Sequence, residues 1–401
     1  MKRVLGVAVA GVALVFCVAP HAQTQTPVAV PAAVQSIHAL PTRLSDAEFW
    51  SLRDELSEPA GEFRSENLVS NETMYQWPIP NLVKTVTPGS VYMGVAPDQN
   101  FTYLAALKPK MAFIVDIRRG NVLQHLLYKA LFEMSADRAE FVAKLFSTPK
   151  LTGLKPGHSA RELFDAVYLQ KADAERFAAN TREVLDLLIN KHGFKLNADD
   201  QDGLKWIYNC FYTFGPDLTY QACETATQRG GFGFGGGRGG FGGFGGRGGA
   251  FRSFADMQLQ TDAQGMNHAY LANDDYFKWM QDFEAKNLLV PVTGDFMGPK
   301  AIRAVGEWVK DKRATVGTFY TSNVEQYLFM STTWDRFYAN VATLPLDDNS
   351  LFIRSVPSNN VQPAQVGARA ASMLCSIKGL IEAFRAGKIR NYYDVIELSR
   401  Q

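Results

Sequence analysis

Four short groups of polar residues in this sequence have side chains suited to binding a small ligand. They are residues 94–100, Asp116, the pair Gly294-Asp295, and residues 321–327. Each group follows a short apolar run that predicts a buried β-strand. In the first group, a turn leads into a predicted helix, which brings backbone N–H groups toward a ligand. Asp116 is suited to accept hydrogen bonds from the two hydroxyls of a ribose, and Asp295 from the exocyclic amine of an adenine.

The same side chains also have purely structural uses. Asp98 and Asn100 are good helix N-caps, and a cap needs no ligand. Asp116 is followed by two arginines that can pair with it, and Asp295 is a common turn residue. The fourth group is denser, because Asn323 and Glu325 lie among hydroxyl-bearing and aromatic residues. This density favours a site there.

The elements that position these groups alternate between strands and helices. Strands are predicted at 90–95, 111–116, 288–292, 315–320, 350–356 and 392–398. The main helices between them are predicted at 100–107, 121–132, 299–310 and 363–384. Apolar strands joined by helices form parallel sheets through crossover connections. We therefore predict an α/β fold with a doubly wound, mainly parallel sheet, in which ligands bind at the carboxyl ends of the strands near the switch in strand order.

Composition divides the chain into segments. The predicted divisions are a signal peptide at 1–22, a linker at 23–41, an N-terminal helical and turn-rich segment at 42–89, the two halves of the α/β domain at 90–133 and 287–401, and a helical insertion at 134–286. The N-terminal segment includes a helix that begins at a capping box at Ser45 and ends near Leu56. The insertion carries a Gly/Phe/Arg tract at 229–252, which is typical of a flexible loop.

The N-terminus has the pattern of a secretory signal. Lys2 and Arg3 precede an apolar run of fifteen residues, and Ala19 and Ala22 are small residues suited to cleavage. The run is shorter than the roughly 20 residues that a membrane span requires. We expect export to the periplasm or the medium, with no transmembrane anchor after cleavage; a short uncleaved anchor is the alternative.

Cysteine and histidine usage predicts no metal site. After signal removal Cys210, Cys223 and Cys375 remain. In an oxidising compartment Cys210 and Cys223 can close a small disulfide loop, or all three can be buried thiols. There is no paired C-x-x-C spacing and no H-E-x-x-H pattern.

Charge and missing motifs narrow the function further. The chain has 41 basic and 40 acidic residues, so it has no global attraction for nucleic acid, and we expect none as a partner. Neither a G-x-S-x-G elbow nor a phosphate-binding P-loop occurs. The expected partner is a small-molecule ligand, and no oligomeric state is predicted.

The order of elements resembles the class I methyltransferases that use S-adenosylmethionine, over about 90–133 and 287–401. GVAPDQN (94–100) stands where that superfamily has its glycine-rich motif, IVDIRR (114–119) and VTGDFMG (292–298) where it has its ribose and adenine acids, and YTSNVEQYL (320–328) where many members have a substrate-facing motif. More narrowly, APDQNFTYLAALKP, FIVDIRRGN and TSNVEQYL resemble an uncharacterised bacterial family of exported, methyltransferase-like proteins. The glycine-rich motif departs from the superfamily, because Gly94 is its only glycine.

The resemblance implies roles for individual residues. S-adenosylmethionine would be held by Gly94, Pro97, Asp98, Asn100, Asp116 and Asp295. Asn323 and Glu325 would orient the methyl acceptor, and Thr321, Ser322 and Tyr327 would bind it. The implied reaction is methyl transfer to an acceptor that the sequence does not identify. The alternatives are a non-catalytic ligand-binding protein of the cell envelope and an envelope interaction protein that uses the Gly/Phe/Arg tract as a tether.

Overall fold

The computed structural model describes residues 39–63, 65–223, 252–357 and 370–399, all within the unit His38–Gln401. The predicted signal peptide, residues 23–38 of the linker and residues 229–251 of the Gly/Phe/Arg tract lie outside the described residues. No helix in the described part of the chain is long and apolar enough to cross a membrane.

Six strands form one sheet. They are β1 (Val91–Gly94), β2 (Ala112–Asp116), β3 (Leu289–Thr293), β4 (Val316–Ser322), β5 (Leu351–Pro357) and β6 (Ala370–Ser376). The spatial order is β3-β2-β1-β4-β5-β6. Strands β1 to β5 are parallel, and β6 pairs antiparallel to β5. The predicted mainly parallel α/β sheet is therefore confirmed, and its strand order reverses between β1 and β4.

Helices flank the sheet and build the segment between β2 and β3. In chain order they are α1 (Asp46–Leu56), α2 (Ile79–Thr85), α3 (Gln99–Leu107), α4 (Arg119–Glu133), α5 (Arg138–Leu145), α6 (Ala160–Tyr168), α7 (Ala174–Leu185), α8 (Ala198–Phe214), α9 (Phe254–Gln258), α10 (Asp274–Ala285), α11 (Ala301–Asp311), α12 (Val324–Met330), α13 (Trp334–Val341), α14 (Ile377–Arg385) and α15 (Tyr392–Leu398). A π-helical turn, Asp186–Lys191, continues α7, and a 3₁₀ turn, Gly215–Asp217, follows α8.

The predicted start of the first helix is confirmed in detail. The Ser45 hydroxyl accepts a hydrogen bond from the Glu48 amide at 3.3 Å, and the Glu48 carboxylate accepts one from the Ser45 amide at 2.8 Å. These reciprocal bonds satisfy N–H groups that the first turn of a helix leaves open. The helix ends at Leu56, as the sequence predicts.

Two predictions near the C-terminus are wrong. Residues 370–376, predicted within a helix, form β6, because they pair along the whole length of β5. The helix starts only at Ile377, where the Ser376 hydroxyl accepts from the Gly379 amide at 3.1 Å. Residues 392–398, predicted as a strand, form α15. There Asn391 and Asp394 make a capping box, and this cap outweighs the strand propensity of the tyrosine and β-branched residues.

The helical segment packs onto α4 through a cluster of aromatic rings. Phe101 on α3 contacts the edge of Tyr128 on α4, with ring centroids 5.2 Å apart. Phe132 on α4 stacks on Phe141 on α5 at 4.6 Å, and Tyr270 contacts both Phe101 and Phe132. Aromatic pairs of this kind contribute about 0.5–1.5 kcal/mol each beyond their buried area. The segment predicted as an insertion thus shares a core with the helices of the sheet.

The cysteines are arranged as one of the two sequence alternatives allowed. Cys210 on α8 forms a disulfide with Cys223, with Cα atoms 5.8 Å apart. Cys375 on β6 is a buried free thiol. The disulfide ties the end of α8 to the chain that follows the 3₁₀ turn.

The disulfide predicts a measurable stabilisation. The double variant Cys210→Ser/Cys223→Ser should lose roughly 2–4 kcal/mol of unfolding free energy, because a closed loop of this length restricts the unfolded chain. Urea denaturation with and without reductant measures the loss, and the double variant, insensitive to reductant, is the control. In a chain that begins at residue 23, blocking thiols in the denatured, unreduced protein should label Cys375 alone; three labelled thiols would contradict the assignment.

Candidate functional site

A cleft opens at the carboxyl ends of β1 to β4, at the switch in strand order. Its volume is about 270 Å³. It is lined by Ala96 after β1, Asp116 at the end of β2, Asp295 after β3, and Asn323 and Tyr327 after β4. These residues are widely separated in the chain, so the four predicted groups do meet at one place.

Asp116 is committed to a buried ion pair with Arg118. One carboxylate oxygen accepts from Arg118 Nε at 3.0 Å, and the other from Nη2 at 2.8 Å. The backbone amides of Arg118 and Ala96 add bonds of 3.0 and 3.2 Å. Four donors occupy the four acceptor positions of a carboxylate. A ribose would therefore have to displace one of these donors before it could bond to Asp116.

The ion pair also joins neighbouring segments. Arg118 donates to the carbonyl oxygens of Ser65 and Glu66. The carbonyl of Asp116 accepts from the Gly294 amide at 2.8 Å. These bonds connect the ends of β2 and β3 to the segment before α2. Arg119, the other arginine that the sequence offered as a partner, pairs instead with Asp200 at 2.8 and 2.9 Å.

The turn after β1 is held together by Asn100. Its amide nitrogen donates to the carbonyls of Val95 at 2.9 Å and Pro97 at 2.8 Å, and its oxygen accepts from the Tyr92 hydroxyl at 2.8 Å. Asn100 is fully buried and does not reach the cleft. Asn100 is not the N-cap residue of α3, and its side chain holds the turn instead of lining the cleft.

The backbone of the turn explains the unusual motif. A Cβ on Gly94 would lie 2.1 Å from the Asn100 side-chain oxygen, so Gly94 makes room for Asn100 rather than for a ligand. Ala96 has φ +68°, a conformation that favours glycine. Pro97 is buried and does not line the cleft. Of this motif, the cleft receives only Val95 and Ala96.

Asp98 points away from the cleft. Its carboxyl group accepts from Gln258 at 3.1 Å and from the Tyr270 hydroxyl at 3.3 Å. It makes no side-chain cap on α3, so the predicted capping bond is absent from the described structure. Burial raises the pKa of Asp98 to about 7, and the bond from Tyr270 opposes the rise. Asp98 therefore links α3 to the helical segment.

Glu325 is sequestered in a second buried ion pair. Arg354 on β5 donates to its carboxylate at 2.7 and 3.1 Å, and the Tyr338 hydroxyl donates at 2.8 Å. The Thr321 hydroxyl lies 3.3 Å from the same carboxylate, and both residues are outside the cleft. Glu325 is 1% exposed and Arg354 is fully buried. Thr321 and Glu325, which the resemblance places at a methyl acceptor, therefore lie outside the cleft, in a buried hydrogen-bond network.

The other predicted site residues of the fourth group face the cleft. Ser322, Asn323 and Tyr327 line it, and the ring of Tyr327 meets the edge of Phe63 with centroids 5.3 Å apart. The Ser322 hydroxyl donates to Glu72, which also accepts from Gln99 at 3.0 Å. Burial raises the pKa of Glu72, while the Ser322 and Gln99 bonds oppose the rise.

Sequence reasoning missed the contribution of the segment before α2. Phe63 and Asn67 line the cleft, although no periodic pattern marks this stretch. Asn67 has φ +50°, and its side-chain oxygen is buried with no hydrogen-bond partner in the described structure. Asparagine tolerates this left-handed conformation, which was the available signal. A buried acceptor without a partner is costly unless a ligand satisfies it.

Asp295 forms a turn and also lines the cleft. One carboxylate oxygen accepts from the Met297 amide at 3.1 Å, which makes a turn, and the side chain still lines the cleft. The walls around it include apolar residues, among them Ile117, Phe296 and Val324. The cleft thus offers an apolar surface with a few polar groups, a composition typical of small-molecule pockets.

No metal centre accompanies the cleft in the described parts of the chain. No group of three or more His, Cys, Asp or Glu side chains there could hold a metal ion. The polar residues that line the cleft include Asn67, Asp295, Asn323 and the Asp116–Arg118 pair.

Because Glu325 pairs with a buried arginine, we predict that its substitution lowers the stability of the protein. Glu325→Ala leaves the Arg354 charge buried and unpaired, so the variant should lose about 3–5 kcal/mol of unfolding free energy. Replacing both residues, as in Glu325→Leu/Arg354→Met, should recover much of that loss. Urea denaturation of the two variants measures both effects; a Glu325→Ala protein as stable as the parent would contradict the assignment.

Asp98 predicts a pH dependence. Its pKa is about 7 when folded and 3.8 ordinarily, so between these pH values the folded protein retains a proton that the unfolded chain releases. The contribution to stability therefore falls as pH rises from 4 to 7. Asp98→Asn should remove this dependence and gain about 2 kcal/mol relative to the parent between pH 5 and 8.

Urea denaturation of the parent and of Asp98→Asn at pH 5 and at pH 8 measures this difference in unfolding free energy. Asp165→Asn, which removes the same charge at the surface, is the control for a change in net charge. A constant difference between Asp98→Asn and the parent across this range would show that Asp98 is ionised in the folded protein.

Comparison with known proteins places the chain in a family. No curated protein shows significant similarity to it. A family described as "Domain of unknown function (DUF7790)" matches residues 68–153 and 251–385, which contain all six strands and most of the cleft. The match covers more than half of the 401 residues, and the protein belongs to this family of domains of unknown function.

Proposed function

We propose that this protein binds a small ligand with a nucleoside-like body in the cleft at the carboxyl ends of β1 to β4. In this proposal the protein is methyltransferase-like, and ligand binding does not require it to catalyse methyl transfer. The observation that carries the proposal is the convergence of four distant chain segments on one cleft at the strand-order switch, the position where open α/β sheets bind ligands. The candidate ligand is S-adenosylmethionine or its demethylated product.

The lining supports recognition of a planar, partly apolar ligand. Asn67 supplies a buried acceptor without a partner, and Asp295 and Asn323 add polar groups on loops after β3 and β4. Phe63 and Phe296 provide aromatic surface. A volume of about 270 Å³ is just below the roughly 300–1,000 Å³ of typical ligand pockets, so it suits the nucleoside portion of a ligand better than a large molecule.

Because two of the predicted acids are held in ion pairs, ligand binding is favoured over acid–base catalysis as the function of the cleft. Glu325 is paired with Arg354 away from the cleft, and Asp116 is neutralised by Arg118. A general base must reach the proton that it removes, and neither carboxylate is free to do so. Among the cleft-lining acids this leaves Asp295, whose position after β3 suits ligand contact.

Methyl transfer is the second candidate function, because it needs alignment of donor and acceptor more than acid–base groups. The loops at 95–96, 116–118, 294–297 and 322–324 line one cleft in the order of the methyltransferase resemblance. In this proposal Asp295 and the first two loops hold the donor, and Asn323 and Tyr327 orient the acceptor. The Cys210–Cys223 disulfide supports the accompanying proposal of export to an oxidising compartment.

Calorimetry with S-adenosylmethionine and S-adenosylhomocysteine tests the proposal. We expect saturable binding of at least one of them by the parent, weakened about tenfold in Asn67→Gly, because the variant removes the amide while glycine keeps the positive φ. Arg313→Gly, at an exposed position with φ +51°, is the matched control and should bind like the parent.

The outcomes separate the two functions. Binding without turnover supports the non-catalytic protein, and accumulation of S-adenosylhomocysteine in the presence of an acceptor supports methyl transfer. No heat and no thermal shift at millimolar ligand would refute both. Equal binding by Asn67→Gly and Arg313→Gly would place the ligand outside this cleft.

A further inference from the structure

A second and larger cavity lies in the helical segment, away from the strand ends. Its volume is about 670 Å³. Its walls come from α5, the chain at 148–158, the first two turns of α7, and the start of α10. It shares no lining residue with the cleft at the strand ends.

The cavity carries an excess of positive charge. Six basic and three acidic side chains line it. The acids are engaged: Asp274 pairs with Arg138 at 2.7 Å, Glu140 lies 3.5 Å from Lys144, and Asp137 caps α5. The four other basic residues have no ion pair within 4 Å in the described structure; they are Lys150, Lys155, Arg176 and Lys278. All four are exposed at the rim.

Two buried polar atoms also lack partners in the part of the chain that the structure describes. Thr148 lines the cavity with a side chain that is 7% exposed, and its hydroxyl is buried and makes no hydrogen bond in the described structure. His158 lies on the same wall; its Nδ1 bonds to the Lys155 carbonyl at 3.0 Å, while its Nε2 is buried without a partner. Such atoms are usually satisfied by a ligand or by water when the protein does not satisfy them.

The floor of the cavity is apolar. Leu151 and Phe277 are buried there, and Leu154 and Ala143 extend the same surface. The four exposed basic side chains therefore lie at the rim, above an apolar floor. This combination selects a molecule with a strongly charged end and an apolar body, because each part finds its complement.

We propose that this cavity binds a phosphate ester that carries an apolar body. The phosphate group lies between the lysines at 150 and 155 and the Thr148 hydroxyl, which are typical phosphate donors, and the body packs on Leu151 and Phe277. Lys278 and Arg176 add long-range attraction for a dianion. This site does not depend on the function proposed for the cleft.

Fluorescence or calorimetric titration with 1-naphthyl phosphate tests the proposal in the full chain. We expect saturable binding at least tenfold tighter than that of inorganic phosphate or of 1-naphthol, since each of those supplies only half of the ligand. Lys150→Gln/Lys155→Gln should weaken it by tenfold or more. Lys108→Gln/Lys388→Gln, which removes two exposed lysines outside the cavity, should bind like the parent.

Three results would overturn the proposal. One is the absence of saturable binding of 1-naphthyl phosphate at low salt. Another is equal weakening by the two double variants, which would indicate a nonspecific charge effect. The third is binding of inorganic phosphate as tight as that of the ester, which would remove the role of the apolar floor. Thermal unfolding of both double variants checks that each is folded.

Discussion

The ion pair between Asp116 and Arg118 is the constraint on which the ligand cleft depends. A buried pair is tolerated only when its remaining donors and acceptors are satisfied, and here backbone groups from neighbouring segments satisfy them. The Ala96 amide reaches the carboxylate from the turn after β1, and the carbonyls of Ser65 and Glu66 receive the guanidinium. One pair thereby fixes the turn after β1, the end of β2 and the segment before α2 around the same opening.

The pairing of carboxylates with buried arginines limits the chemistry that the cleft can support. Of the acids that the resemblance places at the site, Asp116 and Glu325 both neutralise buried arginines. The lining is left with apolar walls, the unpartnered Asn67 oxygen, and the polar ends of Asp295 and Asn323. Recognition by shape and a few hydrogen bonds follows from this arrangement. Any transfer reaction here would depend on alignment of the reactants.

Local pattern was enough to predict the five parallel strands and the position of the cleft. The runs ending at Gly94 and Asp116 are short and continuously apolar, as buried parallel strands are, and parallel strands place their carboxyl ends at one edge. The residues facing the cleft were less predictable. The dense polar group around Glu325 favours a site, but its partner Arg354 lies 29 residues away, on a strand whose position only the folded chain defines.

Other errors arose where tertiary contacts override local preference. Ala370–Ser376 reads as helix, yet pairing with β5 makes it a strand. The strand interpretation of 392–398 overlooked the cap at Asn391. Asn67 carried little signal beyond its residue type, because its importance comes from an unpaired oxygen that only the packing of the surrounding segment creates.

The most direct test of the account is a crystal structure of the protein grown with saturating S-adenosylhomocysteine. We predict electron density for the nucleoside between the loops that follow β1 to β4. The nucleoside should form a hydrogen bond to Asn67, and the Asp116–Arg118 pair should be retained beside it. A nucleoside bound elsewhere on the protein, or a cleft that stays empty at saturation, would contradict it.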